Sequence, residues 1–442
     1  MMHASQTQVP AENSQAQSKP TLAIVGLGIS GLGCAHFLQD EFDLVLYEAN
    51  DYVGGHTNTV TIETPDDKAT MDTGFMVYNE DTYPHLTRLF AELGIQTKKT
   101  SMSFSVNHEP DGLEYNGGKF NQLFGQRKNL FNLRYWRMLL KINKFNTDAL
   151  LDIENSDLHS LTLKEYVAYR GYGDEFLRWY LVPMASAVWS SSMDKVEDFP
   201  AITLLRFWRN HGFLAVESRK QWRTVCGGAK QYVDKLTEPF AKQIQINNPV
   251  TGVSREAGKV KVESRNEARL FDHVILATHA DDSLKLLSDA TPQEQEVLGA
   301  FKYQENIAVV HQDESFMPKN KPCWASWNYY ITPSSQGSDE LVSSTHYWMN
   351  SLQGVSQNEN YFVAINPQRA PQKALKTITY HHPLFNLEAI KAQKSVPSLN
   401  QNAQQETQTF FCGAWQRYGF HEDGLLSAVN LCEQLLKRDV WS

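Results

Sequence analysis

Between Thr21 and Tyr47 the chain passes through four patterns: a short apolar run (Thr21–Val25), a glycine-rich turn, apolar positions at helical spacing (Ser30–Gln39) and a second apolar run (Phe42–Tyr47). That order predicts a βαβ unit opening a parallel sheet. Strands are predicted near Thr59–Glu63 and Thr70–Val77, then a helix over Thr82–Leu93 ended by Gly94. From about Leu130 to Gly212, long aromatic and Leu/Met stretches read mainly as helix. The first pattern returns at Trp222, with a Gly-Gly turn, a helix over Gln231–Leu236 and strands near Ile244–Asn247, Gly252–Arg255, Val260–Ser264 and His273–Ala277. Glu305–Tyr380 reads as strands broken by loops. Gln393–Thr407 is polar, Gln408–Cys412 is a predicted strand and Leu425–Lys437 a predicted helix.

These elements divide the chain into one domain assembled from residues 21–78, 222–295 and 406–442, and an inserted α+β domain from 79–221 and 296–405. Met1–Pro20, rich in Gln, Ser, Ala, Asn and Pro, reads as a disordered tail without the apolar centre of a signal peptide. The 442 residues allow a large core. No apolar run approaches the roughly 18 residues of a membrane-spanning helix. Net charge is 41 − 50 = −9, which argues against a general nucleic-acid binder. The five cysteines form no close pair and no metal-ligand spacing, as expected for a reducing compartment and a site without metal. The composition leads us to expect a soluble cytoplasmic enzyme.

Gly26-Leu27-Gly28-Ile29-Ser30-Gly31 joins the first strand to the first helix. In a dinucleotide site the first Gly makes the tight turn, the second lets a pyrophosphate approach the backbone, and the third lets helix and strand pack closely. The helix N-terminus then faces the phosphates with its positive end. Glu48 ends the second strand seventeen residues after Gly31, where a carboxylate accepts hydrogen bonds from a ribose hydroxyl. This pattern alone serves NAD and FAD equally.

The continuation separates them. Gly54-Gly55-His56 follows six residues after Glu48, within Y-E-A-N-D-Y-V-G-G-H. This resembles the flavin amine-oxidase superfamily, in which a Gly-Gly pair runs beside the flavin diphosphate; His56 stands where that family usually has Arg. Asp72-Thr73-Gly74, Trp222–Tyr232 (W-R-T-V-C-G-G-A-K-Q-Y), His273–Ala280 and Phe411–Ser427 (F-C-G-A-W-Q-R-Y-G-F-H-E-D-G-L-L-S) resemble later blocks of the same superfamily, in order. Further phrases, A-S-W-N-Y, Y-G-F-H-E-D-G and P-M-A-S-A-V-W-S, resemble a bacterial branch of predicted flavoproteins associated with cyclopropane fatty-acid synthases.

The resemblance implies a Rossmann-like FAD-binding domain of the amine-oxidase/glutathione-reductase type and noncovalent FAD. It implies cofactor contacts at Gly26, Gly28, Ile29, Ser30, Gly31, Glu48, Ala49, Gly54, Gly55, His56, Asp72 and Gly74, and again at Gly413, Glu422, Asp423, Gly424 and Leu425. It also implies hydride transfer between a substrate C–H and flavin N5, with backbone N–H groups near Asp423–Leu425 facing the charge that reduction creates. Amine oxidases commonly hold a water at N5 with a Lys on the strand matching Gln304–Val310, and here Asn306 takes that place. This departure, with the lipid association of the branch, points to carbon–carbon chemistry on a hydrophobic acyl substrate. The alternatives are an amine oxidase releasing hydrogen peroxide and an FAD-containing binding protein without turnover.

Asn306 and His421 are the candidate catalytic residues, His421 as an acid or base near neutral pH. Trp189, Trp324, Trp327, Tyr329, Trp415 and Tyr418 are candidate tunnel walls, and Cys412 reads as a small core residue. Tyr115–Thr147 carries seven Lys/Arg and no Asp or Glu, with six aromatics interleaved from Phe120 to Phe145. Such a segment suits peripheral contact with an anionic membrane, at the inner face for a cytoplasmic protein; the alternative is a solvated helical face with a buried aromatic side.

Overall fold

The computed structural model describes residues 19–158, 160–189, 191–214, 220–334 and 340–442; the expected tail lies, up to residue 18, outside them. A five-stranded parallel sheet runs in the order Ile244–Gln245, Asp43–Tyr47, Thr21–Val25, His273–Leu276, Thr409–Phe411. Thr21–Val25 lies at its centre, with Leu22 opposite both Leu44 and His273. The period of two along this strand separates two cores. Leu22 and Ile24 face the helices Ile29–Leu38 and His421–Leu436. Ala23 and Val25 face the antiparallel sheet Val250–Glu256, Lys259–Ser264, Ala268–Phe271. The two helices pack closely at Gly33, where an added Cβ would lie 3.0 Å from Leu425 and 3.1 Å from Ala428.

A second, seven-stranded sheet runs in the order Ala374–Leu384, Lys302–His311, Phe362–Ile365, Leu341–Trp348, Trp327–Pro333, Phe104–His108, Leu113–Asn116. All its pairs are antiparallel except Trp327–Pro333 with Phe104–His108. A helical layer, including Leu133–Asp152, Val182–Trp189 and Ala201–His211, encloses an aromatic core of its own around Phe145, Tyr166, Phe176 and Trp208. Among the described residues no helix is long and apolar enough to cross a membrane.

Two elements differ from expectation. The strand predicted over Thr70–Val77 is instead Lys68–Asp72 followed by a turn and the two-residue strand Tyr78–Asn79. At the turn Gly74 passes so close to His56 that an added Cβ would lie 2.3 Å from its carbonyl oxygen, while the Phe75 N–H donates to that oxygen at 2.8 Å. The last helix begins at His421, four residues before the predicted Leu425, because the Asp423 carboxylate accepts the Phe420 N–H at 2.9 Å and caps an earlier turn.

Candidate active site

One cavity of about 480 Å³ runs from the glycine turn after the first strand to the start of the last helix. Its volume is that of a cofactor or drug-sized site. Gly26, Leu27, Gly28, Ile29 and Ser30 line one end. The helix Ile29–Leu38 starts there with Gly28 as its N-cap and no side chain occupying the cap, so its first N–H groups remain available to an anion. The Gly54-Gly55 segment lies alongside: the Gly54 N–H donates to Leu27 O at 2.8 Å, and a Cβ on Gly55 would stand 3.1 Å from the Gly28 Cα. A Cβ on Gly28 itself would meet nothing within 4 Å. That bare, glycine-walled space is the shape a diphosphate requires.

Glu48 is buried beside it. Its Oε2 accepts the Leu27 N–H at 2.9 Å, and its Oε1 accepts the Asn50 backbone N–H at 2.9 Å and side-chain amide at 2.8 Å. A carboxylate has about four acceptor positions, so one remains for a ribose hydroxyl. Glu48→Ala removes that acceptor and the three bonds that shape the loop. FAD affinity is expected to fall by about 1–3 kcal/mol, read by titrating apoprotein with FAD. The residues present therefore fit an FAD dinucleotide.

At the opposite end, His421 is the first residue of the helix His421–Leu436 and faces the cavity, stacked on Phe75 with ring centroids 3.9 Å apart. Its Nε2 lies 2.6 Å from the Tyr232 hydroxyl, and burial pushes the imidazole down to about 3. His421 is thus a neutral group held by a tyrosine. The neighbouring acids are tied elsewhere. The two Glu422 oxygens accept the His85 and Leu86 N–H groups at 3.0 Å each, capping the helix Pro84–Glu92. Asp423 accepts the Tyr418 and Phe420 N–H groups at 3.3 and 2.9 Å. Burial raises Glu422 to about 7 and Asp423 to about 6. Gly424 and Leu425 pack against the first helix: a Cβ on Gly424 would lie 2.7 Å from Ile29 Cγ2, and Leu425 is fully buried.

A third feature lies on the strands Lys302–His311 and Ala374–Leu384. Asn306 is fully buried outside the cavity lining, and it reaches the cavity through His382. The bonding order follows from one backbone donor. The Ile307 N–H donates to Asn366 Oδ1 at 2.8 Å, so the Asn366 amide nitrogen faces Asn306 and donates to its Oδ1 at 2.7 Å. Asn306 therefore turns its own amide nitrogen to His382 Nδ1, 2.6 Å away, which must accept. The His382 proton is left on Nε2. Burial, with the nearby His279 and His381, pushes His382 down to about 4, so the ring is neutral at pH 7. His56 stands 5.4 Å from His382 between ring centroids and is also held neutral by burial.

Of the residues singled out in the sequence, Gly26, Gly28, Ile29, Ser30, Glu48, Ala49, Gly54, Gly55, His56, Gly74, Gly413 and His421 line the cavity, as do Trp189, Trp327, Trp415 and Tyr418. Gly31 stands behind the lining: its Cβ would lie 1.9 Å from Gly26 O, so it provides the close helix–strand approach. Asp72 is fully buried beneath the site and bonds Thr59, Ala229 and Gln353. Trp324 donates to Pro318 O at 2.8 Å, and Tyr329 lines a separate cavity. Cys412 is buried with its sulfur 3.7 Å from that of Cys34. Sequence reasoning passed over His279, Tyr303, His381 and His382, which also line the cavity. The pair His381-His382, just before Pro383 in the strand Ala374–Leu384, was the available signal.

The chain matches the family of flavin-containing amine oxidoreductases over residues 29–366. It is 24% identical over 266 residues to flavin-containing amine oxidase A of Bos taurus, covering 58% of this chain and 48% of that protein. It is 23% identical over 257 residues to the B form from the same species, covering 56% and 48%. The chain thus spans about half the length of the curated relatives it matches. Among solved structures it resembles the CLA-producing fatty acid isomerase from P. acnes, with a TM-score of 0.66, 16% identity and coverage of 95% and 98%. It equally resembles cyclohexylamine oxidase from Brevibacterium oxydans, with a TM-score of 0.66, 14% identity and coverage of 95% and 100%. Fold, cofactor cavity and family match agree: the chain belongs to the flavin-containing amine oxidoreductases, FAD-dependent enzymes of amine-oxidase type.

Proposed function

We propose that this enzyme transfers a hydride at a C–H bond of an apolar, acyl-chain substrate, with FAD as its noncovalent redox partner. The observation that carries the reading is the cavity wall away from the glycine turn. It is built from aromatic rings, including Trp189, Phe207, Phe213, Trp222, Trp327, Tyr347 and Phe420, and among the described lining residues there is no Lys or Arg. Phe207 stacks on Phe420 at 4.8 Å and on His211 at 3.9 Å, and burial pushes His211 down to about 4, so this wall presents neutral, largely apolar surface. Such a surface removes a hydrocarbon chain from water and excludes water from the reacting carbon. The fold-sharing fatty acid isomerase supports an acyl substrate class.

Bound FAD would supply the hydride acceptor or donor. In this proposal Gly26, Gly28, Gly54, Gly55 and Glu48 hold the dinucleotide. The first-turn N–H groups at His421 direct a positive helix end toward negative charge at the far end of the site. His382 offers a proton on Nε2, and Asn306 is its positioning residue. Asn306→Asp places a carboxylate on His382 Nδ1, which favours the charged ring. The acid limb of the pH–rate profile is then expected to move up by about 1–3 units, with FAD content unchanged. A profile that stays in place removes His382 from the chemistry.

A second reading, amine oxidation, is favoured by the same aromatic wall, because an alkylammonium also binds over ring faces. Anaerobic mixing of the purified holoenzyme with panels of acyl lipids and amines separates the two. Bleaching of the flavin by acyl lipids alone is the expected result. Amine-driven bleaching, with peroxide release in air at roughly 1–1000 turnovers per second, establishes the amine oxidase instead. A flavin that no member of either panel reduces supports a binding role without turnover.

A further inference from the structure

The helix Leu133–Asp152 has two unlike faces. Tyr135, Met138, Phe145 and Ala149 are buried, and Phe145 meets Trp208 edge-on at 5.8 Å. On the opposite side Leu133, Leu140 and Leu151, spaced seven and eleven residues apart and so sharing one face, are 72%, 70% and 73% exposed, with Trp136 half-exposed between them. The turn before the helix adds Phe131, 88% exposed, and the short helix Phe120–Leu123 adds Phe120. Seven of the twelve large exposed apolar side chains among the described residues lie between Phe120 and Leu151. Single exposed leucines are ordinary, whereas a stripe of them on one face marks an interaction surface.

We propose that this face docks on an anionic lipid bilayer. Charge complementarity selects that occupant. The segment Tyr115–Thr147 has seven basic residues and no acid in a chain of net charge −9. Two of these cations are paired with acids, Arg134 with Glu175 at 3.1 Å and Lys144 with Asp148, one turn further along the same helix, at 2.9 Å. Lys119, Arg127, Lys128 and Arg137 remain exposed around the apolar stripe. An exposed Leu/Trp/Phe stripe edged by Lys and Arg is the pattern of a helix lying in the bilayer interface, with rings and leucines at the acyl boundary and cations among the headgroups.

The position of the face adds to the argument. The helix Ala201–His211 sends Phe207 and His211 into the cavity wall and Trp208 against Phe145 of the docking helix. The docking face is therefore the outer side of the layer whose inner side walls the active site. Docking does not depend on which substrate the flavin oxidises, and its failure leaves the bleaching assay unaffected.

The test is co-sedimentation of the 442-residue holoenzyme with vesicles of phosphatidylglycerol or of phosphatidylcholine. Wild type is expected to sediment with phosphatidylglycerol at low salt, to bind phosphatidylcholine less, and to release as the Debye length falls from about 10 Å at 0.1 M salt to about 3 Å at 1 M. The double variant Lys128→Gln/Arg137→Gln removes two headgroup contacts, so its binding should weaken about 30-fold with FAD content intact. Phe131→Ser/Leu133→Ser/Leu140→Ser, all at exposed positions, should lose vesicle binding without loss of flavin. Wild type that ignores phosphatidylglycerol at low salt overturns the proposal, as does a charge variant that binds undiminished. A concentration-dependent dimer that only the serine variant abolishes would also overturn it, by making this face a contact between copies.

Discussion

Gly28→Val is expected to give a folded protein that purifies without FAD. Gly28 has φ −73° and ψ −175°, an extended conformation open to any residue, and its added Cβ meets nothing within 4 Å. The protein itself therefore accommodates the side chain, while the valine methyl groups take up open space at the glycine-lined end of the cavity. Affinity for FAD should fall by at least about 1000-fold, equivalent to about 4 kcal/mol. Flavin absorbance per polypeptide measures the loss, and circular dichroism checks that the fold remains. Gly31→Val is the control with the opposite outcome: its Cβ would lie 1.9 Å from Gly26 O, so the first strand and helix cannot close and soluble protein should be lost. Full FAD occupancy in Gly28→Val would place the cofactor outside this cavity.

The second large effect is on stability. Asp72→Ala should destabilise the holoenzyme by about 2–4 kcal/mol in denaturant unfolding near pH 5, because it removes the acceptor of three donors: the buried Ala229 N–H is left unpaired and the half-buried Thr59 hydroxyl loses its partner, while the Gln353 amide keeps Met76 O and Thr224 Oγ1. Those donors are the Thr59 hydroxyl, the Ala229 N–H at 2.9 Å and the Gln353 side-chain amide at 2.8 Å, brought together from three separate stretches of chain. The cost depends on pH in a definite direction. Burial raises Asp72 from its ordinary 3.8 to about 6, so the folded state holds the proton more tightly than the unfolded chain. The stability this group contributes is greatest below pH 4 and declines as pH rises through about 6. The alanine variant lacks that decline, so the gap between wild type and variant should narrow by about 1–3 kcal/mol between pH 5 and pH 8. An unchanged gap would mean that Asp72 is ionised throughout.

The parts of the site legible in the sequence are those built by neighbours along the chain. Gly26–Gly31 and Glu48 sit in one strand–turn–helix–strand unit, where local spacing decides which atoms meet. Gly54-Gly55 belongs to the same stretch. Asp72 shows where such reading stops. Its motif suggests a cofactor contact, yet its amide N–H donates to Gln353 Oε1 at 2.9 Å across 281 residues, and its carboxylate lies beneath the site. The start of the last helix was misplaced for a related reason: the Asp423 cap that begins it at His421 depends on a loop conformation that periodicity does not register.

The sequence by itself determined the dinucleotide turn, the discontinuous parallel sheet and the surplus of cations and aromatics after Tyr115, because periodicity, glycine spacing and composition are carried by adjacent residues; the flavin family followed from the resemblance of its ordered motif blocks. Only the tertiary structure decided which aromatic rings face outward, with Phe124 and Tyr135 buried while Phe120 and Phe131 are exposed. It alone joined Asn366, Asn306 and His382 into a relay that sets one histidine tautomer. Strand pairing and helix packing bring such groups together from distant parts of the chain, and burial then decides which of them stay neutral and which stay in water.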